Sequence, residues 1–464
     1  MNYTFPDNFL WGGASSGPQS EGTFPGDGKA ENQWDYWYAQ APEKFYDHIG
    51  PTITSNFYNN YKEIICAMAD AGIKSYRTSL QWSRILKDKA GTVNQTGINF
   101  YHAVLDELEK YNIIPMFCLH HFDTPMYHMA AGGFENRETV TAFAEYAKIC
   151  FSHFGDRVKY WSTFNEPVVI PHQSYILGGH YPALCDMKKA VQVAYHLQLA
   201  SALAIAAFRE KKIDGQIGII LNLTPTYMEN PKDPANMRAA EICDLLHNRS
   251  FLDPSVLGKY PPILCDFLEA EGLSPSTCEK DLAAIEKNTV DYLGVNYYHP
   301  RRVRPKKQIP DAPLTPESFY EEYVPKDVQF NFSRGWEIYA PAVYDIAINI
   351  RDNYKNIPWY MSENGMGVME EEQFFDEKGI VQDDYRIAFL KEHLTELHKG
   401  ISAGSNCFGY HLWAPFDCWS WTNAYKNRYG LIRVDIYDDC KISLKKSASW
   451  YNSLSAENGF STEK

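Results

Sequence analysis

The chain has 464 residues, 45% of them hydrophobic, and a formal net charge of −14. There is apolar material for a large core, and more chain than one small core usually holds. The acidic balance makes nucleic acid and anionic membranes poor partners.

The start, Met1-Asn2-Tyr3-Thr4-Phe5-Pro6-Asp7, has no basic cluster and no apolar stretch, so no secretory signal is expected. The ten cysteines include no Cys-x-x-Cys. Cys66, Cys118, Cys150 and Cys407 sit inside apolar runs, as reduced core thiols do. The expected compartment is the cytoplasm. Residues 168–185 are uncharged but contain Pro171 and Pro182, which reads as a loop rather than a membrane span.

Strand-like runs recur along the chain, and each but the first follows a helical pattern. A strand is predicted at 9–14, before a glycine-rich loop. A helix at 56–71 ends at Gly72 and leads to a strand at 74–80. Helix 98–111 precedes strand 114–119, and helix 137–154 precedes strand 160–164. Helix 187–212 precedes strand 217–223, and helix 275–287 precedes strand 291–298. Helices 340–354 and 383–401 precede strands 359–362 and 407–413. Such alternation implies a parallel sheet, and eight strands are the number that closes a barrel. The expected fold is an α/β (β/α)8 TIM barrel, a single domain over 1–464 with long loops on its C-terminal face. No repeat, low-complexity tract or Ser/Gly linker interrupts the pattern. Residues 299–335 lack a helical period and contain Arg301, Arg302, Arg304, Lys306 and Lys307. They are expected to form a solvated basic loop, which its place after a strand end would put on the active face.

Two strands end in glutamate. Strand 160–164 runs into Asn165-Glu166 and is stopped by Pro167, and strand 359–362 runs into Glu363-Asn364-Gly365. A single such Glu reads as a cap for the next helix. Two of them, each beside an Asn, point to catalysis at the C-terminal ends of barrel strands. One acid/base and one nucleophile are the minimum equipment for cleaving a glycosidic bond.

The other strand ends carry Gln19, Glu21, Arg77, Trp82, His120, His121, Asp123, Asn222, Asn296, Tyr297, Tyr298, Trp413 and Asp417. Core packing does not require such a polar ring. Amides, imidazole and phenol suit the recognition of hydroxyl groups. Trp336 is placed either to pack or to stack on an aglycone. His120-His121-x-Asp123 raises the question of a metal, but adjacent residues on a strand face opposite sides. There is no Gly-x-Ser-x-Gly elbow and no glycine-rich phosphate loop. No metal or organic cofactor is expected.

Several stretches resemble glycoside hydrolase family 1. They are Phe9-Leu10-Trp11-Gly12-Gly13-Ala14-Ser15-Ser16, Gln19-x-Glu21-Gly22, Thr163-Phe164-Asn165-Glu166-Pro167, Gly294-Val295-Asn296-Tyr297-Tyr298, Ser362-Glu363-Asn364-Gly365 and Arg428-Tyr429-Gly430. The likeness spans nearly the whole chain. It implies a retaining β-glycosidase on a (β/α)8 barrel, with a small-molecule β-glycoside as its partner. Glu166 would be the acid/base and Glu363 the nucleophile. Gln19, His121, Asn165, Trp413 and Trp421 would hold the sugar, while Arg77, Asn296 and Tyr298 would support the nucleophile. Phe122 follows His121 where many members have Trp.

The same resemblance bears on the sugar's 6-position. Members that cut plain glucosides have a Glu where Ser420 stands. The 6-phospho-β-glycosidases pair such a Ser with a Lys seven residues on and a Tyr nine on. Tyr429 matches; the seventh position is Asn427, with Lys426 one residue early. Ser420, Lys426 and Tyr429 are therefore the candidate phosphate contacts, and a cytoplasmic 6-phospho-β-glucosidase is expected. The alternatives are a plain β-glucosidase, a transglycosylase, and a sugar-binding barrel that has lost catalysis.

Overall fold

A computed structural model describes residues 1–306 and 313–462. Its eight central strands close into a parallel barrel in chain order. They are β1 (Leu10–Ala14), β2 (Ser75–Ser79), β3 (Ile114–Cys118), β4 (Tyr160–Asn165), β5 (Gln216–Asn222), β6 (Tyr292–Asn296), β7 (Trp359–Asn364) and β8 (Cys407–Trp413). Every boundary falls within two residues of the expected one. The helices between them are α1 (Phe57–Asp70), α2 (Gln95–Lys110), α3 (Arg137–Phe154), α4 (Met187–Glu210), α5 (Glu279–Lys287), α6 (Pro341–Asn353) and α7 (Asp384–Ser402). The expected (β/α)8 TIM barrel is therefore the fold.

Helices cover the outside of the barrel, so strands such as β5 are apolar on both faces, with Ile217, Ile219 and Ile220 fully buried. Met116, Tyr292 and Tyr360 fill the barrel floor together with Tyr160 and Phe408. Asn136 and Asp186 cap α3 and α4 with their side chains. By length and composition α4 is apolar enough to cross a membrane, but most of it is buried in the protein. α5 starts four residues late, because Cys278 still has an extended backbone.

The pairing is regular at the floor and irregular near the top. Register shifts occur between Ser162 and Asn165 on β4 and between Met361 and Glu363 on β7. These bulges aim the terminal side chains of both strands into the barrel mouth. Gly365 lies just beyond: a Cβ there would meet the Trp413 carbonyl oxygen at 2.0 Å. Only glycine lets the end of β7 pass so close to β8.

The basic segment corrects its expectation. Arg301–Arg304 is a strand, flanked by Thr226–Met228 and Glu321–Glu322. Arg302 donates to Glu337 at 2.7 and 3.1 Å, Arg304 to Glu321 at 2.6 Å, and Arg301 also pairs with Glu322. The charges are neutralised by glutamates 17–35 residues ahead, so the segment packs instead of floating in solvent. Lys306 donates to the Glu317 carbonyl at 2.7 Å; Lys307 lies outside the described residues. At the opposite end of the barrel, strand Asn2–Thr4 pairs with Gly459–Ser461.

Candidate active site

β4 and β7 deliver Glu166 and Glu363 to one cavity of about 240 Å³ at the C-terminal face. Glu166 follows the end of β4, where its N–H donates to the Ile220 carbonyl at 2.9 Å. Its φ of 45° is left-handed, a region a side-chain-bearing residue enters only when its surroundings hold it there. Phe122 and Trp421, also in the cavity wall, share this backbone state with φ of 65° and 55°. Glu363 is buried, and its carbonyl accepts from Tyr297 N at 2.9 Å.

The two carboxylates sit in different environments. Burial, followed by the negative charge of Glu363, raises the Glu166 carboxyl to about 8, against a hydrogen bond from Asn296 and the charge of Arg77. Glu363 takes an ion pair from Arg77 Nη2 and a 2.6 Å hydrogen bond from the Tyr298 hydroxyl. Although burial works against its charge, Arg77 is held above its ordinary range by Glu363. One group is thus a proton donor near neutral pH and the other a hydrogen-bonded acceptor, the division of labour that two-step glycoside cleavage needs.

The Asn296 side chain makes no hydrogen bond to Glu363 among the described residues. Ser362 Oγ donates to its Oδ1, which turns the amide NH₂ toward Asn165 Oδ1 at 3.1 Å and Glu166 Oε1 at 2.8 Å. Of the expected trio, Arg77 and Tyr298 bond Glu363, and Asn296 bonds Glu166.

The expected sugar contacts are brought together. Gln19, His121, Asn165, Asn222, Trp336, Trp413 and Trp421 all line the cavity. Gln19 is fixed by donating to the Trp419 carbonyl at 2.9 Å and accepting from Ser16 at 2.8 Å. His121 Nδ1 accepts from Arg77 at 3.4 Å, and its Nε2 lies 3.1 Å from Asn165 Nδ2. Trp421 stacks on Trp34 with ring centroids 4.5 Å apart. His120 turns away to Thr124 at 2.9 Å, so the adjacent histidines do not converge on one point. Glu21 and Asp417 are also spent elsewhere: Glu21 binds Arg84 and Tyr101, and Asp417 binds Lys445.

Of the three candidate phosphate contacts, Ser420 and Tyr429 line the cavity. Lys426 does not. Ser420 N donates to the Ala424 carbonyl at 2.7 Å and Lys426 N to the Asn423 carbonyl at 2.8 Å. This tight turn faces Lys426 outward, with Nζ 5.6 Å from the Tyr46 ring centroid. Sequence reasoning missed Gln173, His180, Thr224 and Arg334 in the wall. Arg334 falls within 299–335, the segment whose place after a strand end pointed to the active face, two residues before Trp336.

A separate cluster, His172, His247 and Glu317, places its ligand atoms within 4.8 Å of one another. His172 is bonded to Glu317 at 3.1 Å and His247 to Tyr320 at 2.6 Å. Burial, and after it the neighbouring Arg301 charge, holds the His247 imidazole well down, and that charge opposes a cation there.

The sequence model of glycosyl hydrolase family 1 matches residues 1–460. The chain belongs to glycosyl hydrolase family 1. It is 51% identical over 460 residues to the 6-phospho-beta-glucosidase GmuD of Bacillus subtilis, covering 99% of each protein. It is 33% identical to Beta-glucosidase A of Acetivibrio thermocellus, over 98% of this chain and 99% of that one. The solved family 1 β-glucosidase of Thermotoga maritima superposes with a TM-score of 0.91 at 32% identity, covering 99% of this chain and 100% of that one. This family 1 hydrolase is a retaining glycosidase acting on a small-molecule sugar substrate by two-carboxylate double displacement.

Proposed function

We propose that the enzyme is a 6-phospho-β-glucosidase in which Glu363 attacks the anomeric carbon while Glu166 protonates the leaving oxygen. The glycosyl-enzyme ester is then released by water that Glu166 deprotonates, with net retention. Arg77 and Tyr298 orient the nucleophile. Asn296 holds Glu166 before substrate arrives, and Gln19, His121, Asn165, Asn222, Trp413 and Trp421 bind the sugar. Trp336 offers a face to the aglycone.

The observation that carries the phosphate reading is the charge of the cavity wall. Among the described lining residues the only carboxylates are Glu166 and Glu363, while Ser420 and Tyr429 present hydroxyls and Arg334 a positive charge; Arg301 is paired with Glu322. A third carboxylate about 4 Å from a phosphate would repel it by about 4 kcal/mol per unit charge pair near an effective dielectric of 20. Ser420 removes that term and adds a donor. The likeness to GmuD supports the same reading. Substrates phosphorylated on entry are met in the cytoplasm, which we infer is where the enzyme works, as one folded domain.

The test compares kcat/KM for an aryl β-glucoside 6-phosphate with that for the plain glucoside. A preference of at least about a hundredfold, roughly 2.7 kcal/mol, is expected. Equal or better turnover of the plain glucoside makes the enzyme a β-glucosidase.

A further inference from the structure

We propose that Arg334 is the cation that selects the 6-phosphate. The inference rests on the phosphate reading above and identifies the residue that enforces it. The family-like pattern expects a Lys at position 427, but the chain has Asn427, and Lys426 faces Tyr46 outside the cavity. The positive charge comes instead from the loop after β6.

Arg334 sits on a hairpin whose strands Phe330–Asn331 and Trp336–Glu337 pair antiparallel. Its N–H and that of Gly335 both donate to the Asn331 carbonyl, at 3.1 and 2.8 Å. Asn331 Nδ2 in turn donates to the Gly367 carbonyl at 3.0 Å, and Ser333 Oγ accepts from Met369 N at 3.0 Å. The hairpin is thereby tied to the loop after β7. Gly367 lies flat on the Tyr429 ring, with no room for a Cβ. This chain of contacts sets Arg334 beside Tyr429, one of the two hydroxyl residues expected at the phosphate.

The guanidinium carbon lies 4.2 Å from the Trp336 ring centroid, so the indole fixes its plane. Its Nε is buried and has no hydrogen-bond partner among the described residues. Arg301, the other arginine in the wall, is already paired with Glu322, whereas Arg334 has no carboxylate within ion-pair distance among the described residues. A fixed guanidinium with a vacant donor, in a cavity with hydroxyls beside it, suits a dianion that takes two parallel N–H···O bonds. The phosphate would receive those bonds from Arg334 and single bonds from the Ser420 and Tyr429 hydroxyls.

The test measures kcat and KM for the aryl glucoside 6-phosphate and for the plain glucoside. It uses the wild-type enzyme, Arg334→Met, Arg334→Lys and Lys426→Met, each with its thermal midpoint. Arg334→Met is expected to lower kcat/KM for the phosphorylated substrate by about 100-fold, mainly through KM. It leaves the plain glucoside within about threefold, and Arg334→Lys recovers part of the loss. Lys426→Met changes neither. Glucose 6-phosphate is expected to inhibit the wild type competitively and to weaken against Arg334→Met, while inhibition by glucose is unchanged. Equal loss on both substrates makes Arg334 a structural or aglycone contact and overturns the proposal. Loss of the phosphate preference in Lys426→Met overturns it also. A wild type with no phosphate preference overturns the phosphate reading and this proposal together. A wild type that has the preference and keeps it in Arg334→Met overturns this proposal alone.

Discussion

The two ends of the sugar cavity are built differently. At the reacting end, Glu166, Glu363, Arg77 and Asn296 project from strands or strand ends, and both carboxylates are bonded to neighbouring side chains. At the end assigned to the 6-position, Ser420, Tyr429 and Arg334 stand on loops, and Arg334 Nε has no partner among the described residues. The first end is finished before substrate arrives, as electrostatic preorganisation for bond breaking requires. The second keeps donors in reserve for a group the substrate brings. Chemistry and selectivity should therefore be separable by mutation.

The largest test of that separation is Glu363→Gln. Without a nucleophile, kcat should fall by at least about 10⁵-fold on phosphorylated and plain substrates alike. A loss confined to one substrate class would mean the two ends are coupled. Next, Glu166→Gln should cost about 10²–10⁴-fold on glycosides with poor leaving groups and far less on activated aryl glycosides, which need little protonation. Equal losses across leaving groups would remove Glu166 from the acid role.

At the other end, Ser420→Glu should reverse the phosphate preference with little change in kcat for the plain glucoside. The reversal should be of order a hundredfold, since one carboxylate against a phosphate outweighs the lost hydroxyl contact. A uniform fall in kcat would show that this loop governs chemistry as well.

A smaller effect is read from pH. The Glu166 carboxyl titrates at about 8, above its ordinary 4.5. Its acid form is required, so kcat/KM should decline as pH rises through about 8. Because the folded state holds this proton more tightly than the unfolded chain does, folding stability is lost as pH climbs from 4.5 toward about 8. Glu166→Gln should thus match the wild type in thermal midpoint at acid pH and exceed it at pH about 9. The smallest effect expected is none: prolonged treatment with a strong chelator should leave kcat unchanged, because the carboxylate pair completes the reaction.

The reacting end was legible in the sequence because strand periodicity and chain position carry it. Glu166 and Glu363 each close an apolar run, and a barrel sends such residues to one face. The partner of Asn296 was not legible, since it depends on Ser362 capping one side of the amide. The 6-position end resisted for a related reason. The family resemblance pointed to Ser420 and Tyr429, but the turn between them decides where Lys426 points. Arg334 matters through what it lacks among the described residues, a carboxylate neighbour, and absence leaves no mark in a linear pattern. Arg301 to Arg304 were misread in the same way: their charges suggested solvent until Glu321, Glu322 and Glu337 were placed against them.

The left-handed backbone at Phe122, Glu166 and Trp421 also bears on how the chain can change over generations. Each position holds a side chain where glycine would rest without strain, at about 1–3 kcal/mol apiece. At Phe122, buried in the core, packing of the ring offsets that cost, whereas Glu166 faces the cavity and is kept by selection for sugar cleavage. A lineage released from that selection should drift at position 166 early, before its barrel core changes. Glycine at position 166 in a descendant would then be a fossil of abandoned catalysis.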